Sequence, residues 1–237
     1  FVDTIKYGAG TFTGNLTGLF VADGDIVQFT GNADIKGVNG GLATNAKFAD
    51  FSNSPLTVTM TTGQHNGMHT VNFTNVSGNQ TIVLSDGGAA TGDQGIEHYI
   101  LVGGAGNAHD FTVFPNGGTL NTGKQNVTVT ANGAADIIRY GTGTFTGNLL
   151  GLDKNDPDTV QFFGDADIKG VNGGAETGAK FADFADTNET VVMTFAQHNG
   201  FTQNFKNTNN TQTIKLSDSG TATGDAGIEQ YFLNTVG

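Results

Sequence analysis

The feature that most constrains this chain is a long internal repeat. Residues 4–67 align without a gap on residues 137–200, with 42 of 64 positions identical. Shared blocks include TFTGNL at Thr11 and Thr144, ADIKGVNGG at Ala33 and Ala166, AKFADF at Ala46 and Ala179, and QHNG at Gln64 and Gln197. One residue is lost after QHNG, and the match resumes: TIVLSD at Thr81 pairs with TIKLSD at Thr213, and ATGDQGIEHYIL at Ala90 with ATGDAGIEQYFL at Ala222. A fixed long period is the signature of stacked or arrayed architectures, in which equivalent residues recur at equivalent places. The division that follows is copy one over 1–101, an inter-repeat segment over 102–136 that continues the same structure, and copy two over 137–237. The pattern predicts a segment of a tandem array.

Composition narrows the architecture. The chain has 37 Gly, 3 Pro, no Cys and no Trp, and only 14% of its residues are charged. Gly, Thr and Asn all lose free energy in helices relative to Ala, so little helix is expected. Disorder is the other reading of low charge and high Gly, but 18 Phe and many β-branched residues recur in short runs, which argues for a core. With 10 Lys plus Arg against 22 Asp plus Glu the net charge is −12. Such a chain is repelled by phosphate backbones, so no nucleic-acid partner is expected. No apolar run reaches membrane-spanning length, so no transmembrane segment is expected. Without cysteine there is no disulfide framework, thiolate metal site or Cys nucleophile.

The local pattern is strands and turns. Runs such as IVQF (26–29), LTVTM (56–60), TVNF (70–73), TIVL (81–84), HYILV (98–102), FTVF (111–114), NVTVT (126–130) and IIRY (137–140) alternate and are rich in β-branched or aromatic residues. Clusters such as GNAD, GVNGG, GQHNG, SGNQ and PNGG between them supply the positive φ that tight turns need. Two strands with their turns occupy about 25 residues, which fits one coil of a stack. The expected fold is therefore all-β, a parallel β-solenoid of the β-helix or β-roll type, with tandem β-sandwich domains as the alternative. Phe12, Phe29, Phe48, Phe51 and Phe73, with their partners Phe145, Phe162, Phe181, Phe184 and Phe205, are expected to stack inside as a ladder.

The blocks ADIKGVNGG, AKFADF, VTMTTGQHNG and TIVLSDGGAATGDQGIEHYIL resemble the Gly/Thr/Asn-rich, acidic, cysteine-free β-strand repeats of bacterial surface-layer proteins and secreted adhesins related to the calcium-binding RTX group. The resemblance covers both copies. It implies export, often by a leaderless route, a β-solenoid fold, calcium-dependent folding and a structural or adhesive task. One departure matters. Gly103-Gly104-Ala105-Gly106-Asn107 opens the RTX nonapeptide, but Ala108 stands where its Asp belongs and Asp110 comes two residues late. Any calcium sites must therefore be irregular.

Calcium takes six to eight oxygen ligands from loops. The first candidates are Asp23 and Asp25 in copy one and Asp156 and Asp158 in copy two, each pair flanking one residue before a strand, with Asp153 nearby in copy two. Against this stands the ordinary use of Asp at turns. The second candidates are Asp93 and Glu97, matched by Asp225 and Glu229, with Asp86 or Asp218 upstream. These acids could share a cation or cap turns. Asp34 and Asp167 are expected to pair with Lys36 and Lys169 on the surface, and Asp50 and Asp183 to point outward as solubilising groups. His65 and His198, in QHNG, read as turn residues without a ligand partner at metal spacing. No catalytic constellation appears, and no enzyme is expected.

The reading that combines these features is an extracellular structural protein: a segment of a surface layer, filament or adhesin that assembles with copies of itself or with neighbouring repeats of a longer chain and is stabilised by calcium. The alternative is an adhesive module that binds cell-surface polysaccharide without self-assembly.

Overall fold

Four-residue β-branched runs separated by Gly, Asn and Asp leave each strand able to bury two side chains on one face, and a coil that stacks on its equivalent buries them best. In the computed structural model this is the arrangement adopted. The structure describes residues 1–40, 46, 48–69, 73–76, 79–102, 106–114, 125–129, 134–153, 155–173, 179, 181–185, 188–201, 205–208 and 211–233. The first copy runs through β1 (Thr4–Tyr7), β2 (Gly10–Leu16), β3 (Ile26–Phe29), β4 (Ala33–Gly40), β5 (Phe48–Asp50) and β6 (Thr57–Met60). A short helix, α1 (Thr62–His69), precedes β7 (Phe73–Thr74), β8 (Thr81–Leu84), β9 (Gly88–Thr91) and β10 (His98–Leu101). The inter-repeat segment contributes β11 (His109–Thr112) and β12 (Asn126–Val129). The second copy opens with β13 (Ile137–Tyr140), β14 (Gly143–Leu150), β15 (Thr159–Phe162), β16 (Ala166–Gly173), β17 (Phe181–Asp183) and β18 (Thr190–Met193). It continues through α2 (Phe195–Gly200), β19 (Phe205–Lys206), β20 (Thr213–Leu216) and β21 (Gln230–Leu233).

Strands alternate between two faces of the coil. One face is a single 11-stranded sheet in the order β2-β4-β6-β8-β10-β12-β14-β16-β18-β20-β21. The other carries a 4-stranded sheet, β1-β3-β5-β7, and a 6-stranded sheet, β9 through β19. Pairing among the described residues is parallel throughout. That is a β-solenoid, and it excludes the sandwich alternative, whose sheets are antiparallel. Since β2 and β14 are equivalent, one sequence repeat spans six rungs of the long sheet. Register is kept within each copy: Thr57 pairs with Thr81 as Thr190 does with Thr213.

The core is one continuous column. Val27, Phe29, Ile35, Phe51, Val58, Met60, Ile82, Tyr99, Leu101, Phe111, Ile138, Tyr140, Phe162, Phe184, Val191, Met193 and Ile214 are all essentially without exposed surface. The aromatic ladder forms: Tyr7, Phe29, Phe51 and Phe73 follow one another at centroid spacings of 6.1, 5.2 and 5.5 Å, and Tyr140, Phe162, Phe184 and Phe205 at 6.2, 5.6 and 5.8 Å. Phe12 and Phe145 meet Tyr7 and Tyr140 edge-on at 4.9 Å. The side chains expected of Phe48 and Phe181, and the Gly103–Ala105 start of the nonapeptide-like window, lie outside the described residues.

Candidate functional site

QHNG lies on a helix in both copies, where the sequence suggests a turn. The helix is short and Gly-containing, and its local support is a reciprocal cap. In α2 the Thr194 hydroxyl accepts from the Gln197 N–H while the Gln197 side chain accepts from the Thr194 N–H, at 3.1 and 2.8 Å; Thr61 and Gln64 do the same for α1. The Gln64 amide donates inward to the Ile35 and Val38 carbonyls, at 2.7 Å each, and Gln197 to those of Ile168 and Val171. Asn66 and Asn199 donate to the carbonyls of Ala89 and Thr221. The helix is thus tied to the coils on either side of it.

This anchoring drives the histidines into the core. His65 and His198 have no exposed surface. Each imidazole continues the aromatic ladder where a shorter sheet ends, at β7 and at β19: His65 lies 5.8 Å from Phe73 and 5.7 Å from Tyr99, and His198 lies 5.6 Å from both Phe205 and Tyr231. His65 Nε2 is 3.0 Å from Asp93 Oδ2, and His198 Nε2 is 3.1 Å from Asp225 Oδ2. The Tyr99 hydroxyl donates to that Asp93 oxygen at 3.0 Å and accepts from the Asp93 N–H at 2.8 Å; Tyr231 and Asp225 repeat both bonds. A His–Asp–Tyr cluster is therefore built twice, from residues 34 or fewer positions apart. Burial, with the neighbouring Asp93 charge second, pushes the Tyr99 phenol well up, and the same causes push Tyr231 to about 12. The signal for this cluster was present in the sequence as three residue types conserved between the copies, but nothing in their spacing shows that they meet.

The other candidate carboxylates accept backbone N–H groups across coils. Asp25 takes those of Asp3 and Phe20, both at 2.7 Å, and Asp158 takes those of Asp136 and Asp153 at 2.9 and 2.7 Å. Glu97 and Glu229 receive the N–H groups of Gln80 and Gln212, at 3.0 and 2.9 Å. Asp86 and Asp218 receive those of Thr62 and Phe195, the first residues of α1 and α2, where a negative charge is favoured. The structure therefore does not bring Asp93 and Glu97 to one point; each serves a different rung. Asp23 and Asp156 remain on the exposed side of their turns, with Asp23 3.9 Å from the chain's amino group. Asp153 accepts from the Asn155 N–H and amide.

Equivalent carboxylates titrate in opposite directions. The backbone N–H bonds from Asp3 and Phe20 hold the Asp25 carboxyl below its ordinary value, whereas burial, helped by the Asp136 and Asp156 charges, raises that of Asp158. Burial raises Glu97 as well. Among the described residues no three His, Asp or Glu side chains converge in an arrangement that could hold a metal ion.

Two surface motifs sort differently. Lys36 and Lys169 form the expected ion pairs with Asp34 and Asp167, at 3.0 and 2.8 Å. Asp50 and Asp183 point outward but act as braces. Asp50 accepts from the Ser52 N–H, the Asn75 amide and the Gln28 amide, joining three coils, and Asp183 accepts from Ala185, Asn207 and Gln161 in the same way. Asn75 and Asn207 stand in the left-handed region, φ 55° and 54°, which Asn tolerates better than most residues. No helix among the described residues is long and apolar enough to cross a membrane. Comparison with protein-family models, with curated proteins and with solved structures returned no match.

Proposed function

We propose that this chain is a structural segment of an extracellular solenoid, a building block of a surface layer, filament or adhesin stalk, whose copies stack head to tail and whose turns are ordered by calcium. The observation that carries this reading is the junction between the copies. Strands β11 and β12 pair with β13 and β14 in parallel register, Phe111 on Ile138 and Val127 on Leu149, so the last coils before the second copy template its first. A surface that accepts the next copy within one chain is suited to accept it from another chain or from further repeats, and such head-to-tail contacts do not close into a ring unless rotation brings them round. At about 4.8 Å per strand, the six rungs of one repeat period add about 29 Å of length. The ionisable residues support a structural role too, since most of the candidate acids and both QHNG histidines are engaged in joining coils.

Calcium would act at the acids left on the outside of the turns, Asp23 in copy one and Asp156 with Asp153 in copy two, and would offset part of the −12 charge. The test is negative-stain electron microscopy of the purified chain in millimolar calcium and after chelation. Ordered filaments or sheets that disappear on chelation are the expected result. Dispersed short rods under both conditions would overturn self-assembly.

A further inference from the structure

The two copies share a fold but present different chemistry on the outer face of the long sheet. In copy one the outward row across β6, β8 and β10 reads Thr59, Val83, Ile100, beside a second row of Thr57, Thr81 and His98. At the same register in copy two, β18, β20 and β21 present Val192, Lys215 and Phe232, beside Thr190, Thr213 and Gln230. On this face lies a groove of about 540 Å³ whose lining includes Lys169, Lys215, Thr190, Thr213, Gln230 and Phe232. Phe232 is 53% exposed on β21, the last strand of the long sheet, whereas its copy-one counterpart Ile100 is flanked by β8 and β12. The Lys215 ammonium lies 5.9 Å from the centre of the Phe232 ring. Lys169 contributes a second ammonium, shared with Asp167 at 2.8 Å. On a chain with only 10 basic side chains against 22 acidic ones, Lys215 gives this groove a positive charge that the Lys169–Asp167 pair does not cancel.

We infer that this groove binds a carboxylate-bearing saccharide, such as a uronic acid unit of a polysaccharide. Lys215 supplies the cation for the sugar carboxylate. The exposed Phe232 ring offers a flat apolar surface to the C–H face of a pyranose, and Thr190, Thr213 and Gln230 offer donors and acceptors to its hydroxyls. The residues named here all come from one chain and one copy.

The probe is a galacturonic acid trimer titrated into the full 237-residue chain in the presence of chelator, with a galactose trimer as the neutral control. The expected result is one site per chain, about tenfold or more in favour of the acidic trimer and weakened by salt. Lys215→Val and Phe232→Ile install residues that copy one already carries at this register, so neither should unfold the chain. Each is expected to weaken binding by about tenfold. The reciprocal pair Val83→Lys and Ile100→Phe should raise the stoichiometry from one site to two. Equal affinity for both trimers, no saturable binding, or binding that survives both single substitutions would overturn the inference. So would loss of self-association in Lys215→Val without any saccharide binding, which would make the groove a contact between copies.

Discussion

His65 and Asp93 show how much this fold asks of a single pair. The imidazole has no exposed surface, and its partner carboxylate is only 9% exposed, so removing the carboxylate strands a buried polar ring. Leaving a buried polar group without its hydrogen-bond partner ordinarily costs about 1–3 kcal/mol, and Asp93→Ala is expected to fall in that range. Asp225→Ala should cost less, because the Asp225 carboxylate is 21% exposed and water screens its contact with His198. Urea denaturation of the two variants checks this, and equal losses of under about 1 kcal/mol would mean the clusters contribute little. Residue-level reading of the sequence found these acids but not their partners in other coils. Asp93 and Glu97 are four positions apart, which suggests a shared ligand, yet the coil sends one to His65 and Tyr99 and the other to the Gln80 N–H. Partners contributed by a different rung, 17 to 34 residues away, leave no local trace. The opposite pull on Asp25 and Asp158 is equally hidden. Their backbone bonds are alike, but burial outweighs those bonds at Asp158, and the Asp136 and Asp156 carboxylates add to it, so the surroundings of the folded coil decide the sign.

At the scale of elements, the strands were legible because alternation of β-branched residues is a local signal, and eight of the runs read as strands contain or overlap one. Helices α1 and α2 were not legible. QHNG has neither an apolar stripe nor good helix formers, and what holds it helical is its cap and three tethers to other coils, which are tertiary. Glycine carries a further element-level constraint. Gly14 and Gly147 are counterparts with φ of 123° and 118°, and each follows a register shift in its strand, between Thr11 and Thr13 and between Thr144 and Thr146. A Cβ at Gly147 would come 2.0 Å from the Gln125 carbonyl oxygen, while at Gly14, on the edge strand β2, it would meet nothing within 4 Å. Both Ala variants incur the positive-φ strain, roughly 1–2 kcal/mol. Gly147→Ala must also displace the Gln125 backbone, at about 1–3 kcal/mol more. Thermal midpoints of the two single variants should therefore differ, with Gly147→Ala the lower; equal midpoints would show that β12 yields freely.

For the whole molecule, the long repeat was visible in the sequence as residue identity, while the short one showed only as the spacing of strands and turns. One repeat period is six rungs, and successive rungs share little sequence because each needs only apolar residues at alternate positions, whereas the tethers between rungs differ from coil to coil. The same stacking makes the molecule sensitive to alkali as a unit. All four tyrosines are drawn into the column, and burial raises every phenol above its ordinary value near 10, Tyr231 to about 12. In an unfolded chain tyrosine ionises near pH 10. Between about pH 10 and 12 the unfolded chain therefore has lost protons that the folded chain keeps, and stability falls as pH rises through that window. Below pH 10 the whole contribution is present. The expected outcome is a denaturation midpoint that drops above about pH 10, with tyrosinate absorbance appearing in step with loss of the far-ultraviolet β signal. Because the rungs are coupled through one core, the four phenols should ionise together as the stack opens. Tyrosinate rising gradually from pH 10 with the β signal intact would mean that the rings are reached by water in the folded coil, and that the ladder does not hold the solenoid closed.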